Sequence, residues 1–465
     1  MNITLQQIAK ACGGALCHAE GRENEKIQGA VLDSRLVEPG YLFFATRGER
    51  VDGHSFIPDV EKKGAACVVC EEEPVTESIP FILVKDSFQA LKDIAEAYRK
   101  SLAITVVGIT GSVGKTSTKE FIAGVLSEKY HVLKTEGNFN NEVGLPLTIL
   151  RIREEHEVAV LEMGISEFGE MHRLSKIARP DICVMTNIGQ CHLENLGSRE
   201  GILKAKSEIF DFMNRQGHIV LNGDDDMLSG IEQIQGIRPV RFGISVTENS
   251  TDDGDFYHVY ATDVVSKGLF GSEAVMHLEG NEYPVKVTLP GRHMVYNALA
   301  AACVARLLDM EVSGICQGIA KVQPVGGRSN ILRTGKYVVI DDCYNANPVS
   351  TKAALELLGS AEGRKVAILG DMFELGVGEK ELHKDVGKFA VEREIDVLLC
   401  VGNLSKYMYE EAMKDWDGVT DVRYFEGKEE LLEMLPDILA EGDTILVKAS
   451  HGMHFEEIVE WLTKP

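Results

Sequence analysis

An apolar run, a glycine turn and a helical pattern follow one another without a break between residues 104 and 126. No other stretch of the chain restricts its fold as much. Ile104 to Ile109 has the length and character of a buried strand, and Phe121, Ile122, Val125 and Leu126 recur at helical spacing. Between them lies Thr110-Gly111-Ser112-Val113-Gly114-Lys115-Thr116. A strand, a tight turn and a helix in that order place the turn at the carboxyl end of a mostly parallel sheet. Gly111 and Gly114 let the backbone aim successive N–H groups at phosphate oxygens, and the unpaired amides of the following helix add to the cradle. Lys115 is then placed to reach the terminal phosphates of a nucleotide, and the Thr116 hydroxyl to ligate Mg²⁺. The general form of this loop carries glycine five residues before Gly114. Ile109 stands there instead, which points to a narrower class.

A chain of 465 residues exceeds what one hydrophobic core serves, so two to four domains are expected. A formal charge of −24 argues against broad nucleic-acid affinity, which needs clustered Lys and Arg, but leaves room for an anionic small substrate held by a local positive site. The sequence contains no 18-residue apolar stretch, and Met1-Asn2-Ile3-Thr4 opens no positively charged leader, so a cytoplasmic protein without stable membrane insertion is expected. Ten cysteines without regular spacing read as reduced, mostly buried thiols. Cys67 and Cys70 flank Val68-Val69 in an apparent strand, and no second pair completes a metal site.

The fold class is α/β in three units. Residues 1–100 form a small α/β unit: a short helix around Leu5, Ile8 and Ala9, strands at Tyr41 to Ala45 and Ala66 to Val69, and a helix with Phe88, Leu91, Ile94, Ala95 and Tyr98 on one face. Residues 101–328 form a central P-loop-like, mostly parallel sheet, with strands at 104–109, 158–162, 182–187 and 217–222, an antiparallel addition over 256–289 and an apolar helix over 294–308. Residues 329–465 form a second doubly wound, Rossmann-like unit, with strands at 336–342, 365–370, 397–402 and 444–449. Gly326-Gly327-Arg328 is the expected hinge, since paired glycines rotate at low steric cost.

Other candidates sit at matching strand ends. Glu162 follows one apolar strand, and His192 follows the Asn187-Ile188-Gly189 turn; both can offer a donor to a metal beside Thr116, though by spacing alone each reads more often as structural. Lys204 and Lys206 are two apart and cannot share a helix face, and residue type does not decide which points into the cleft.

Taken together, the phosphate loop, Leu161-Glu162-Met163-Gly164, Asn187-Ile188-Gly189-Gln190-Cys191-His192-Leu193-Glu194, Lys204-Ala205-Lys206 and Gly291-Arg292-His293-Met294-Val295-Tyr296-Asn297-Ala298 resemble the Mur ligases over essentially the whole chain. These are ATP-dependent amide-bond enzymes of peptidoglycan precursor synthesis. Their loop has glycine three residues before the glycine-lysine pair, so Ile109 becomes an expected trait. Asp341-Asp342-Cys343-Tyr344-Asn345-Ala346-Asn347-Pro348, Leu369-Gly370-Asp371-Met372-Phe373-Glu374-Leu375-Gly376 and Asp33-Ser34-Arg35 resemble the family member that joins D-alanyl-D-alanine to a UDP-N-acetylmuramoyl-tripeptide. The alternatives are a member that adds a single amino acid, whose Asp-Asn-Pro-Arg-type motif this sequence lacks, and a folylpolyglutamate synthase-like ligase, which needs a folate pocket. A binding protein that kept the fold and lost chemistry is the non-enzymatic alternative.

The resemblance implies roles residue by residue. Ser34, Arg35, Asp52, His54 and Phe56 lie on loops that hold the UDP end, Phe56 reading equally well as core. Gly111, Ser112, Val113, Gly114, Lys115 and Thr116 hold ATP phosphates. Thr116, Glu162 and His192 contact Mg²⁺, with Lys206 as a carbamate providing a further oxygen donor. Lys115, Lys206, His192 and Glu162 are the implied catalytic set. Asn297, Arg328, Asp342, Tyr344, Asn345 and Asn347 surround the nucleotide, and the loop from Asp371 to Gly376, with His383 beyond it, borders the nucleotide and dipeptide sites. A monomer is expected.

Overall fold

The computed structural model describes residues 1–48, 51–76, 78–244, 258–414 and 418–464. Residues 256 and 257, at the start of the expected antiparallel addition, lie outside the described residues.

The first unit is a five-stranded sheet in the order Ala15–Cys17, Phe81–Leu83, Cys67–Cys70, Tyr41–Phe44, Gly29–Val31, parallel except for the first pair. The helix Ser87–Ser101 covers one face. Its amino end is capped by Asp86, which accepts from the Gln89 amide, and Ala90, Leu91, Ile94, Ala95 and Tyr98 are buried while Phe88 is only partly so. This helix welds the unit to its neighbour. Buried Arg99 donates to the carbonyls of Ala178 and Arg179 and to Asp181 Oδ2, at 2.8, 3.0 and 3.2 Å. One apolar core therefore runs from Leu5 and Leu42 in the first unit through Tyr98 to Leu145 and Leu174 in the second.

The central sheet has nine strands: Asn281–Val287, Ser272–Leu278, Val259–Ser266, Val240–Gly243, His218–Asn222, Ile182–Met185, Thr105–Thr110, Val158–Glu162, Val132–Lys134. From Val259–Ser266 onward every pairing is parallel; only the last two strands of the added region turn back on themselves. The antiparallel expectation thus holds within residues 259–287, while that region joins the sheet through a parallel edge. Register then assembles the site: Ile109 sits opposite Glu162 and Thr110 opposite Met185, so three strands end side by side. Behind them the helix Lys115–Leu126 packs on His293–Leu307 and on Val312–Lys321. Gly318 permits the second contact, because a Cβ there would stand 2.6 Å from Val125 Cα.

The third unit is a six-stranded sheet ordered Asn330–Arg333, Val338–Asp341, Thr444–Lys448, Lys365–Gly370, Val397–Val401, Asp421–Phe425, parallel except for its first hairpin. The four apolar strands match the sequence reading; the two edges do not appear in it. At the expected hinge, Gly327 (φ 73°) and Ser329 (φ 47°) both occupy the left-handed region.

Candidate functional site

A cleft of about 750 Å³ lies between the carboxyl ends of the central strands and the third sheet. Ser112 to Thr116, Glu162, His192, Asn297, Arg328, Asp342, Tyr344, Asn345, Asn347 and Glu374 all line it. The first-unit candidates do not.

The phosphate loop is built by close backbone approach. Gly111 has φ 146°, and a Cβ there would come within 2.0 Å of Thr186 Oγ1. Thr186 and Asn187, at the end of the next strand, both donate to the Val113 carbonyl, at 2.7 and 2.9 Å, while Asn187 Oδ1 accepts from the Val113 amide at 2.9 Å. Gly114 (φ 83°) opens the helix with no side-chain cap, leaving its first amides free for an anion. Lys115 Nζ donates to the Gly111 carbonyl at 2.8 Å, folded over the loop that it is expected to serve.

Beside the loop, Glu162 is 2 % exposed. Its two oxygens accept from Thr116 Oγ1 and Asn140 Nδ2, each at 2.8 Å. Lys119 Nζ, equally buried, stands 3.9 Å from the same carboxylate and 3.1 Å from Glu120. A buried carboxylate needs such company, since desolvation without a partner is costly. Lys206 is 1 % exposed, whereas Lys204 faces solvent with its ammonium near the Phe168 ring. Among the described residues the Lys206 ammonium has neither a hydrogen bond nor an ion pair, and burial pushes its pKa down to about 8. Among the described residues no three His, Cys, Asp or Glu side chains converge as a metal cage. The Thr116–Glu162 pair is nevertheless an oxygen donor set of the kind Mg²⁺ uses, since this ion takes one or two carboxylates and leaves other positions to water and phosphate.

Asn297 is buried with its Oδ1 accepting from Thr118 Oγ1 at 2.9 Å, and the Gly114 position faces it. His293, one turn earlier, also lines the cleft; burial lowers its pKa. From the third unit, Arg328 lies over the Tyr344 ring at 4.0 Å. Asp342 accepts from the Ser329 amide at 2.8 Å and from Lys448 Nζ at 2.6 Å, and Lys448 also donates to the Asn345 carbonyl at 3.0 Å. Asn347 caps the helix Pro348–Gly359, accepting from the Ser350 amide at 2.9 Å, which gives it a structural task in addition to its place on the cleft. His383 is turned inward, donating to the Glu379 carbonyl and accepting from the Met372 amide, and Asp371 caps the helix Ser405–Lys414. Neither side chain lines the cleft.

The first-unit candidates sit at the carboxyl ends of its parallel strands. Asp33 caps the short helical turn Ser34–Leu36 and binds Arg35, whose hydrogen bonds pull the Asp33 pKa to about 2. Arg35 itself is 86 % exposed. Asp52 caps Gly53–Phe56 and binds His54 Nδ1 at 2.7 Å, and His54 Nε2 accepts from the Glu71 amide at 2.9 Å. The polar turns expected from the sequence are thus short, capped helical turns. Phe56 packs partly against the Phe43 and Phe81 cluster.

Three models of the Mur ligase family match in order along the chain: the catalytic domain over residues 26–105, the middle domain over 109–305 and the glutamate ligase domain over 327–451. The chain belongs to the Mur ligase family. Among curated Mur ligases, the UDP-N-acetylmuramoyl-tripeptide–D-alanyl-D-alanine ligase of Bacillus subtilis is 37 % identical over 98 % of this chain and 97 % of its own length. Its Escherichia coli counterpart is 34 % identical over 99 % and 98 %. The crystal structure of MurF from Acinetobacter baumannii superposes with a TM-score of 0.87 at 31 % identity, covering 99 % of both chains. MurF ligase from Thermotoga maritima in complex with ADP gives 0.79 at 30 % identity, covering 94 % of this chain and 97 % of that one.

Sequence reasoning missed Lys119, Asn140 and Lys448. Lys119 offered a signal: it lies on the apolar side of an otherwise buried helix, where a lysine needs a partner. Asn140 and Lys448 gave none, since each acts through a residue far away in sequence.

Proposed function

We propose that this chain ligates D-alanyl-D-alanine to UDP-N-acetylmuramoyl-tripeptide, with ATP converted to ADP and phosphate. The observation that carries the reading is the pairing of a phosphate loop with buried Glu162 on one wall of a cleft whose other wall is the third unit. The identity to curated ligases of this reaction, across nearly the full length of both chains, supports the choice of substrates.

ATP phosphates lie along Gly111 to Thr116, with Lys115 swinging from the Gly111 carbonyl onto the terminal phosphates. The tripeptide carboxylate attacks the γ-phosphoryl group, giving ADP and an acyl phosphate. The dipeptide amine then adds to the activated carbonyl, and the tetrahedral intermediate collapses to an amide and phosphate. Activation is required because a carboxylate is a poor acyl donor whose charge repels nucleophiles. Thr116, Glu162, His192 and Lys206 as a carbamate are proposed to hold Mg²⁺, which neutralises charge on the phosphates. Asn297, Arg328, Asp342, Tyr344, Asn345 and Asn347 are proposed to enclose the nucleotide. Closure of the third unit keeps water from the acyl phosphate.

The division of labour follows: residues 1–100 take the UDP end through Ser34, Arg35, Asp52, His54 and Phe56, residues 101–328 carry ATP, and residues 329–465 close the site. Among the described residues no helix is long and apolar enough to cross a membrane. The ten cysteines are all free, which supports action in the reducing cytoplasm. The test is substrate choice. ADP release in the presence of the tripeptide nucleotide and Mg-ATP should require D-Ala-D-Ala; release driven equally well by single amino acids would overturn the assignment.

A further inference from the structure

The second substrate brings a difficulty that the cleft must solve. A dipeptide amino terminus is largely an ammonium near neutral pH, and the cations on the cleft wall, Lys115, Arg328 and Lys448, all repel it. Four carboxylates line the cleft: Glu162, Glu170, Asp342 and Glu374. Three are committed. Glu162 is held by Thr116 and Asn140, Asp342 by Lys448 and the Ser329 amide, and Glu170 by the Ser166 and Glu167 amides at 2.6 and 3.0 Å. Glu374 is different. Its side chain is 59 % exposed, and its contact is with His192 Nδ1, 2.6 Å away on the opposite unit.

The backbone that carries this carboxylate is in an uncommon conformation. Glu374 has φ 63°, a conformation that costs a non-glycine residue energy and persists only where its surroundings impose it. Here the amides of Met372 and Phe373 are tied to His383 Nε2 and Ser450 Oγ, at 3.0 and 2.9 Å, and Gly376 abuts the backbone of Glu194. The strained residue therefore presents an anion from the third unit toward the reacting centre, at the face opposite the phosphate loop.

We infer that Glu374 is the residue that binds the ammonium of the incoming dipeptide, displacing its contact with His192 and holding that nitrogen beside the activated carbonyl before it loses its proton and attacks. This assignment rests on the proposed ligase reading and names the group that selects for an amino terminus. It assigns the loop a substrate contact; a latch between the two units would be a different role.

The experiment compares the wild-type enzyme with Glu374→Gln and Glu374→Asp, varying ATP, tripeptide nucleotide and D-Ala-D-Ala in turn. A charge-assisted contact predicts that Glu374→Gln raises KM for D-Ala-D-Ala about 10- to 100-fold. KM for ATP and for the tripeptide nucleotide should stay within about twofold, and Glu374→Asp should recover part of the loss. Acyl phosphate trapped by borohydride reduction in the absence of dipeptide should form as in the wild type. An unchanged dipeptide KM, or equal increases for all three substrates, overturns the inference. A wild-type enzyme that makes no pentapeptide overturns the ligase reading instead, so the two failures are distinguishable.

Discussion

Thr116 Oγ1 donates to Glu162 Oε2 across 2.8 Å, joining the first turn of the phosphate-loop helix to the end of the adjacent strand. The two residues are 46 apart in sequence and meet because Ile109 and Glu162 share a register. Glu162→Gln keeps the shape of this buried group and removes its charge. The account predicts a fall in kcat of about 100-fold or more, read from steady-state ADP release, with the thermal midpoint little changed. A near-normal kcat would contradict the role given to Glu162.

The two glycines of the loop should differ sharply. An alanine at Gly111 collides with Thr186 Oγ1, whereas at Gly114 the nearest atom is Asn297 Oδ1 at 3.5 Å and the penalty is only the left-handed backbone. Gly114→Ala should cost about 1–2 kcal/mol of stability and bind ATP weakly. Gly111→Ala should abolish measurable ATP binding in titration calorimetry. Equal effects would mean that the loop relaxes freely around Thr186.

Lys206 gives a pH prediction. With its pKa lowered to about 8, roughly a quarter of the side chain is neutral at pH 7.5, against about 0.1 % for an ordinary lysine. Only the neutral amine combines with CO₂, and its share grows as pH rises through 8. Enzyme depleted of CO₂ at low pH should therefore regain activity on adding CO₂, at a rate that, compared at equal dissolved CO₂, rises to about pH 8 and then levels. Lys206→Ala should be inactive and partly restored by acetate or formate. Unchanged activity in that variant would exclude the carbamate.

Much of this site is legible in the sequence, and the reason is local. The phosphate loop, Glu162 and His192 each follow an apolar run that ends a strand, so periodicity and turn residues place them together. What the sequence does not show is the second contact of each group. Asn140 and Lys448 act through tertiary neighbours that no periodicity marks, and Lys119 is marked only by its place on the apolar side of a buried helix. The strands Asn330–Arg333 and Asp421–Phe425 are edges with one solvated side, so they lack the continuous apolar run that revealed the inner strands. Burial, which periodicity suggests only on average, is what separates Lys206 from Lys204.

The Lys448–Asp342 pair ties the turn after the strand Val338–Asp341 to the start of the third unit through the Ser329 amide. Lys448 is 2 % exposed, so Lys448→Met leaves Asp342 without its counter-charge. A loss of about 3 kcal/mol is expected in urea denaturation. Adding Asp342→Asn should recover most of that stability while ATP binding stays weak. Recovery of both would make the pair structural alone.

The central claim is that this chain activates a carboxylate as an acyl phosphate, and oxygen transfer tests it most directly. UDP-N-acetylmuramoyl-tripeptide labelled with ¹⁸O in its terminal carboxylate, incubated with Mg-ATP and D-Ala-D-Ala, should give pentapeptide product and inorganic phosphate carrying one ¹⁸O per turnover. Unlabelled phosphate alongside ADP would contradict the account.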